Sequence, residues 1–154
     1  GGSYGDFMAR FVSAAEGLTI GDPFDPATRF SALASRRHFE KVVSYVESAR
    51  ALGGRIHTGG VVEDGSWVVR PTIIAGLPLD AAPYCEEIFG PVCVVNRFST
   101  EDEVVHLAND TRYGLNAMLF TENLSRAHRV ASRLRAGTVW VLSLIHISEP
   151  TRPY

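Results

Sequence analysis

The second half of the chain alternates between the residue patterns of strands and helices, and this alternation restricts it to an α/β fold. Strand patterns rich in apolar residues occupy 92–98, 116–121 and 138–141. Between them lie two amphipathic helical patterns, which end near Asn109 and at Gly137. Because strand–helix–strand connections place successive strands side by side and parallel, we predict an α/β fold with a parallel sheet and βαβ crossovers.

Polar residues that can cap a helix precede both helical patterns. Ser99 and Thr100 are alternative N-caps for the first helix, with acidic residues three positions further on, and Asn123 can cap the second. The apolar positions predicted to be buried are Val104, Leu107 and Ala108 in the first helix, and Leu124, Ala127, Ala131 and Leu134 in the second.

The first half of the chain is less regular. Helical spacing of apolar residues predicts helices over 4–18 and 35–52, and residues 55–58 fit a short strand. A further strand pattern over 67–74 contains Pro71, which cannot donate a hydrogen bond to a neighbouring strand. We therefore expect this strand to lie at an edge or to contain a bulge.

Length and charge exclude several classes of protein. The 154 residues suit one domain or a part of a larger one. They include 15 Lys and Arg against 17 Asp and Glu, a net charge of −2, whereas nucleic-acid-binding domains usually carry a basic patch or a high pI. Four arginines between 126 and 135 fit a solvated helix face. No apolar run approaches the roughly 18 residues that cross a membrane, and no signal peptide is recognisable. We expect a cytoplasmic protein.

Cysteine and histidine spacing gives no sign of a metal centre. The chain has two cysteines, Cys85 and Cys93, which are too few for a disulfide framework and fit no zinc pattern. The five histidines never occur in His-x-x-x-His pairs. We therefore expect no metal site and a reducing compartment.

The last thirteen residues do not continue the α/β pattern. The peptide Leu-Ser-Leu-Ile-His-Ile-Ser-Glu-Pro-Thr-Arg at 142–152 resembles a translated sequencing adapter. We therefore predict a domain portion over 1–141 and a non-native tail over 142–154. A divergent natural tail is the alternative.

Residues 86–91, Glu-Glu-Ile-Phe-Gly-Pro, combine features that a binding site can use. Gly90 allows close backbone approach, and Pro91 fixes φ without offering a donor. A carboxylate beside an aromatic ring can recognise a sugar that carries an aromatic base, since vicinal hydroxyls donate to the carboxylate while the ring stacks. The alternative is structural, because an acidic turn with one buried aromatic residue commonly begins a strand.

Together with its flanks, this segment resembles the aldehyde dehydrogenase superfamily, and the resemblance extends from about Tyr4 to Val141. Its strength lies in the order and spacing of several motifs. They are 21–25 (Gly-Asp-Pro-Phe-Asp), 70–72 (Arg-Pro-Thr), 86–92, 108–115 (Ala-Asn-Asp-Thr-Arg-Tyr-Gly-Leu) and 136–141 (Ala-Gly-Thr-Val-Trp-Val). The resemblance implies that residues 1–141 are part of an aldehyde dehydrogenase catalytic domain.

The same resemblance implies that three residues contact the nicotinamide half of NAD or NADP. Glu87, the second Glu of the 86–91 motif, would hold the hydroxyls of the nicotinamide ribose. Phe89 would pack near the nicotinamide ring, and Leu115 would lie near the same ring. The nucleotide-binding half is not recognisable, because neither Gly53-Gly54 nor Gly59-Gly60 has the Gly-x-Gly-x-x-Gly spacing.

Members of this family oxidise an aldehyde to a carboxylic acid through a cysteine thiohemiacetal, and a glutamate then activates water to hydrolyse the thioester. The Gly-Gln-x-Cys context of that nucleophile does not occur here, so we assign no catalytic residue. Cys85 and Cys93 are expected to be small buried hydrophobic residues. We expect this chain alone to be inactive, with exposed apolar edges, and its longer parent to be a homo-oligomer.

Other interpretations stay open at this point. The chain could be a non-catalytic structural or interaction module derived from the same fold, or part of a relative that forms an acyl phosphate or acyl-CoA. Within the superfamily, residues 123–130 and 136–140 are most similar to bacterial semialdehyde dehydrogenases of aromatic-ring degradation, such as hydroxymuconic-semialdehyde types. Betaine-aldehyde and general aldehyde members share much of the same sequence.

Overall fold

A computed structural model describes residues 2–60, 62–63 and 65–142, so almost all of the predicted tail lies outside the described residues. The described chain divides into two compact units, residues 1–97 and 98–154. The helices are α1 (Gly2–Glu16), α2 (Arg36–Ala51), α3 (Ala82–Cys85), α4 (Glu101–Asn109) and α5 (Leu124–Ala131). The strands are β1 (Arg55–Thr58), β2 (Val62–Glu63), β3 (Val68–Val69), β4 (Thr72–Ala75), β5 (Val92–Val95), β6 (Asn116–Phe120) and β7 (Thr138–Leu142). None of the described helices could span a membrane.

The first unit is built on a mixed sheet of three strands in the order β1-β4-β5. The central strand β4 pairs antiparallel with β1 and parallel with β5, where Thr72 lies opposite Val92. All four residues of β4 are buried. The 67–74 pattern is broken at Pro71 and forms two separate strands, β3 and β4, on either side of it. The expected edge position is wrong for β4, which is the central strand of its sheet, because Pro71 lies before the strand and removes none of its hydrogen bonds.

Helix α2 forms where its periodicity predicts it. The Ser35 hydroxyl accepts a hydrogen bond from the backbone N–H of His38 and caps the helix, and Gly53 follows its end with a φ of +80°. Its buried stripe packs on two small cores. Ala49 joins Ile74, Leu77 and Ala81, whereas Val42 joins Val69 and Ile88. Full burial of one aliphatic side chain stabilises the folded state by roughly 1.5–3 kcal/mol. These contacts therefore fix α2 against the other elements of the first unit.

The second unit contains α4, α5 and a two-stranded parallel sheet of β6 and β7. The α/β fold with parallel pairing is therefore confirmed, but the partner of β5 differs from the prediction. Strand β5 pairs with β4 of the first unit, so the described sheet of the second half has two strands rather than three. Residue patterns identify a strand, whereas its partner depends on which other buried strand is available.

Of the two alternative N-caps of α4, the structure selects Thr100. The Thr100 hydroxyl accepts from the backbone N–H of Glu103, and the Glu103 carboxylate accepts from that of Ser99. The predicted buried stripe is only partly right: Val104 and Leu107 are half-buried, Ala108 is exposed, and the fully buried residue is Val105. Adjacent valines occupy 104 and 105, and spacing alone cannot decide which of them faces inward.

Helix α5 is shorter than its pattern predicts. Its buried residues are Ala127 and Val130, whereas Leu124 is exposed. Beyond the helix, Asn109 holds the following segment. The Asn109 amide donates to the carbonyl of Arg133, and its oxygen accepts from the backbone N–H of Arg135. These two bonds replace the helical partners that the segment would otherwise use.

One face of the β6–β7 sheet exposes large apolar side chains. Met118 and Trp140 lie opposite each other in the register, and Phe120 follows two residues after Met118, on the same face. All three are more than half exposed. Helix α5 contacts both strands. The sequence predicts exposed apolar edges, whereas the exposed apolar surface of this sheet lies on one of its faces.

Ion pairs join α4 to α5. The Glu101 carboxylate accepts from Arg126 at 2.7 Å and from Arg129 at 2.8 Å, and Arg133 pairs with Asp102 at 2.8 Å. The predicted solvated arginine face therefore has a structural role as well. Hydrogen bonds from Arg129 and then Arg126 lower the pKa of Glu101 from about 4.5 to about 2.

Replacing Glu101 by Gln is expected to remove an acid-sensitive part of the stability. A carboxyl with a lowered pKa stabilises the fold above its unfolded value near 4.5, and that contribution disappears as the pH falls toward 2. The difference in unfolding free energy between wild type and Glu101→Gln should therefore shrink from pH 6 to pH 2. Denaturant titrations measure it, with Glu40→Gln of the exposed Arg36–Glu40 pair as the control. A difference that is independent of pH would contradict this assignment.

Candidate functional site

The 86–91 segment forms a loop between α3 and β5 in the first unit. Glu86 is the C-cap of α3 and donates its backbone N–H to Ala82. At the other end, the carbonyl of Pro91 accepts from the backbone N–H of Thr72 at 2.7 Å, at the start of β4. The loop is therefore fixed at both ends by backbone hydrogen bonds.

Apolar contacts hold the middle of the loop against α2. Ile88 is buried and packs in the core that contains Val42 and Val69. Gly90 lies so close to the helix that an added Cβ would be 2.7 and 2.8 Å from the two methyl groups of Val42. Only glycine fits this contact without displacement. Since Ile88 points inward, its neighbours Glu87 and Phe89 are presented on the outside, and both are exposed.

Three polar side chains of α2 fasten the loop, and we call His38, Lys41 and Tyr45 the α2 clamp. Their spacing of three and four residues places them on one face of the helix. His38 Nε2 donates to the carbonyl of Phe89 at 2.6 Å, and Lys41 Nζ donates to the carbonyl of Glu87 at 3.2 Å. The Tyr45 hydroxyl donates to the Glu86 carboxylate at 2.6 Å. The clamp thus binds two main-chain carbonyls and one carboxylate.

This arrangement distinguishes the two adjacent glutamates. Glu86 uses its carboxylate for the bond from Tyr45. Glu87 is bound through its main-chain carbonyl, and its carboxylate makes no hydrogen bond or ion pair with any residue that the structure describes. Of the two carboxylates, that of Glu87 is therefore the one with all of its acceptor sites available to a ligand.

Phe89 has an unusual backbone conformation. Its φ is +56°, in the left-handed region that residues with a Cβ rarely adopt, and its side chain is 73% exposed. This conformation costs about 1–2 kcal/mol relative to the ordinary helical region. An exposed aromatic ring on a strained main chain gives the protein no internal packing in return. Such a combination is typical of a residue whose position serves a ligand.

Leu115, the third predicted cofactor residue, lies in the second unit just before β6 and is 86% exposed. The loop around it is held by a bond from the backbone N–H of Gly137 to the carbonyl of Gly114 at 2.8 Å. Asn109 fastens the facing segment through the carbonyl of Arg133. The structure therefore brings Glu87 and Phe89 together on one loop and places Leu115 on a separate loop of the second unit.

Neither cysteine has the environment of a nucleophile. The Cys85 thiol donates to the carbonyl of Leu79. Packing around the sulfur of Cys93 raises the pKa of its thiol, which reduces the thiolate fraction at neutral pH. The expectation that both are buried is wrong, since Cys85 is half-buried and Cys93 is exposed on β5. Among the described residues, no cluster of three or more metal-ligating side chains occurs.

An apolar groove of about 350 Å³ lies on the first unit beside the end of the loop. Its walls include Phe11, Leu18, Phe30, Ile73 and Pro91, and neither Glu87 nor Phe89 lines it. The free groups of the loop therefore face the outside of the unit, where they can form one wall of a site. The sequence motifs identified these two residues, but they gave no signal for the α2 clamp.

Replacing Gly90 by Ala is expected to lower the stability of the first unit, because the new methyl group would overlap with Val42. Overpacking of this kind costs about 1–3 kcal/mol. Thermal unfolding followed by circular dichroism measures the change. Gly5→Ala is the matched control, since an added Cβ in α1 meets nothing within 4 Å and helical Ala is favoured over Gly. Equal midpoints for Gly90→Ala and wild type would show that the close contact is unimportant.

Comparison with known proteins identifies the family. The model of the "Aldehyde dehydrogenase family" matches residues 1–154. A 2-hydroxymuconic semialdehyde dehydrogenase of Pseudomonas sp. (strain CF600) is 48% identical over 147 residues, 91% of this chain and 30% of that protein. A betaine aldehyde dehydrogenase of Cereibacter sphaeroides (strain KD131) is 44% identical over 137 residues, 88% of this chain and 28% of that protein.

A solved structure agrees with these sequence matches. The crystal structure of betaine aldehyde dehydrogenase from Staphylococcus aureus in complex with NAD+ superimposes with a TM-score of 0.82 and 34% identity, over 88% of this chain and 28% of that one. The chain thus spans about 30% of the length of the relatives it matches. The family model matches this chain over residues 1–154, so the chain belongs to the aldehyde dehydrogenase family.

Proposed function

We propose that this chain is part of an NAD-dependent aldehyde dehydrogenase and supplies one wall of its cofactor site. The observation that carries the proposal is the division of the 86–91 loop into fastened and free groups. Its main chain is fixed by α2, whereas the Glu87 carboxylate and the Phe89 ring are free and exposed. The NAD+ complex of the Staphylococcus aureus relative supports NAD as the cofactor.

The free groups suit the nicotinamide half of the cofactor. The Glu87 carboxylate can accept hydrogen bonds from two vicinal ribose hydroxyls, and a bond to a charged group is worth about 1.5–3 kcal/mol net of the competition with water. The Phe89 ring offers an apolar surface to the nicotinamide, and Leu115 contributes a second apolar side chain. Bound NAD+ supplies the hydride acceptor, so the task of these residues is to hold and orient the nicotinamide half of the cofactor. That task requires a rigid main chain, which the α2 clamp provides.

The proposed reaction converts an aldehyde, NAD+ and water into a carboxylate, NADH and two protons. Cys85 and Cys93 lack the environment of a nucleophile, so the attacking cysteine and the base that activates water belong to other parts of the longer protein. We propose a semialdehyde of aromatic-ring degradation as the substrate, because the relatives matched include 2-hydroxymuconic and 2-aminomuconic semialdehyde dehydrogenases. Homo-oligomerisation of the parent is also part of this proposal.

The activity can be tested in the full-length protein that contains this chain. Purified protein should form NADH from NAD+ and 2-hydroxymuconic semialdehyde, and more slowly from betaine aldehyde. The 154-residue chain assayed in parallel should form none, because it carries only one wall of the site. A full-length protein that oxidises no aldehyde would support the non-catalytic alternative, and turnover by the chain alone would contradict the assignment of the nucleophile elsewhere.

Replacing Glu87 by Gln in the full-length protein is expected to slow hydride transfer. The neutral amide loses charge-assisted bonds to the ribose, and a loss of about 1.5–3 kcal/mol corresponds to roughly a 10- to 100-fold lower kcat/KM. Steady-state kinetics with varied NAD+ measure this effect. Glu86→Gln makes the same change in charge one residue away but keeps an oxygen that accepts from Tyr45, so its effect should be below about threefold. Equal kinetics for the two variants would argue against Glu87 as the ribose ligand.

A further inference from the structure

We infer that His38 and Lys41 are positioning residues for the proposed cofactor contacts, an inference that rests on the proposed function. Neither residue belongs to the motifs that identify the family. Each donates to the main-chain carbonyl of a residue that we propose contacts the cofactor, His38 to Phe89 and Lys41 to Glu87. They therefore act on the orientation of these residues while leaving the Glu87 carboxylate and the Phe89 ring available.

The choice of acceptor is the central observation for Lys41. An ammonium group close to an exposed carboxylate would ordinarily pair with it, and such a pair would occupy the proposed ribose acceptor. Here Lys41 Nζ donates to the main-chain carbonyl of Glu87 and lies 5.5 Å from the centre of the Tyr45 ring. The aromatic face attracts the ammonium and restrains its position. Lys41 thus fixes the main chain of Glu87 without an ion pair to its carboxylate.

The bond from His38 compensates for strain at Phe89. The left-handed conformation of Phe89 turns its carbonyl toward α2, where His38 Nε2 lies 2.6 Å away. A carbonyl can only accept, so Nε2 carries the proton in this contact. Without that donor, nothing among the described side chains holds this carbonyl, and rotation about φ to a negative value becomes favourable. Such a rotation would redirect both the Phe89 ring and the preceding Glu87.

The location of the two contacts predicts which kinetic step they affect. The buried residue Ile88 and the close contact of Gly90 with Val42 would still attach the loop to α2. The loop would therefore stay in place, and Glu87 would still reach a ribose in some of its orientations. Loss of the clamp should mainly reduce the fraction of bound cofactor that is correctly oriented, since small misplacements slow a reaction much more than they weaken binding.

The test compares donor-removing and donor-keeping variants in the full-length protein. His38→Leu and Lys41→Met remove a donor, whereas His38→Gln and Lys41→Arg keep one. Glu47→Gln, on an exposed position of the same helix, is the control. Three quantities are measured: the dissociation constant of NAD+ by calorimetry without aldehyde, kcat with its isotope effect for aldehyde deuterated at the reacting carbon, and the thermal midpoint.

We expect His38→Leu and Lys41→Met to lower kcat about tenfold and to enlarge the isotope effect, because hydride transfer becomes slower than the other steps. The dissociation constant of NAD+ should rise less than about threefold, and His38→Gln and Lys41→Arg should recover most of kcat. A crystal structure of His38→Leu should show Phe89 with a negative φ. A fall in thermal midpoint alone, with kcat and the isotope effect unchanged, would overturn the inference and leave a purely structural role.

Comparison with Glu87→Gln separates this inference from the proposed function. If Glu87→Gln impairs hydride transfer while both donor-removing variants keep the wild-type kcat, isotope effect and Phe89 conformation, the clamp has no positioning role and only the inference fails. If Glu87→Gln behaves as wild type, the proposed ribose contact fails, and the inference fails with it. If one donor-removing variant does not fold, the other decides the outcome, since the two residues hold different carbonyls.

Discussion

The close contact between Gly90 and Val42 is the constraint on which the rest of the candidate site depends. It allows the 86–91 loop to lie directly against α2, and Ile88 then reaches the core beside Val69. Once Ile88 points inward, the side chains on either side of it must point outward. The exposure of Glu87 and Phe89 is thus a consequence of packing. Because α2 is fixed by its buried stripe, the loop inherits its position from the core of the first unit.

Buried and exposed contacts have different roles in this arrangement. The apolar contacts of Ile88 and Gly90 are shielded from water, so they determine where the loop lies. The bonds from His38 and Lys41 are exposed to solvent, and water competition limits each to about 1 kcal/mol, which is small beside the apolar contacts but comparable to the strain at Phe89. Their value is directional, since each fixes the orientation of one carbonyl. A loop attached by apolar contacts alone would keep its place but not a single main-chain conformation.

The sequence predicts the elements of this chain better than their pairing. The observed bounds of helix α2 and strand β1 lie within a few residues of those predicted from the spacing of apolar residues. The break between β3 and β4 follows from the chemistry of Pro71. The sequence pattern predicts that β5 pairs with the later strands, whereas it pairs with β4. Strand pairing depends on distant partners, and a local pattern contains no information about them. For the same reason the α2 clamp had no sequence signal, since His38 and Phe89 are 51 positions apart.

The loops that carry Phe89 and Leu115 are held through their main chains, which accounts for what each leaves exposed. In both, a glycine permits a close approach: an added Cβ would lie 2.7 Å from a methyl group of Val42 at Gly90 and 3.1 Å from the carbonyl oxygen of Arg135 at Gly114. In both, a main-chain carbonyl accepts a hydrogen bond, that of Phe89 from His38 and that of Gly114 from the backbone N–H of Gly137. The apolar anchor of the 86–91 loop is Ile88, which leaves the ring of Phe89 outside. Neither Phe89 nor Leu115 packs its side chain to hold its own loop, so both side chains stay available to a ligand.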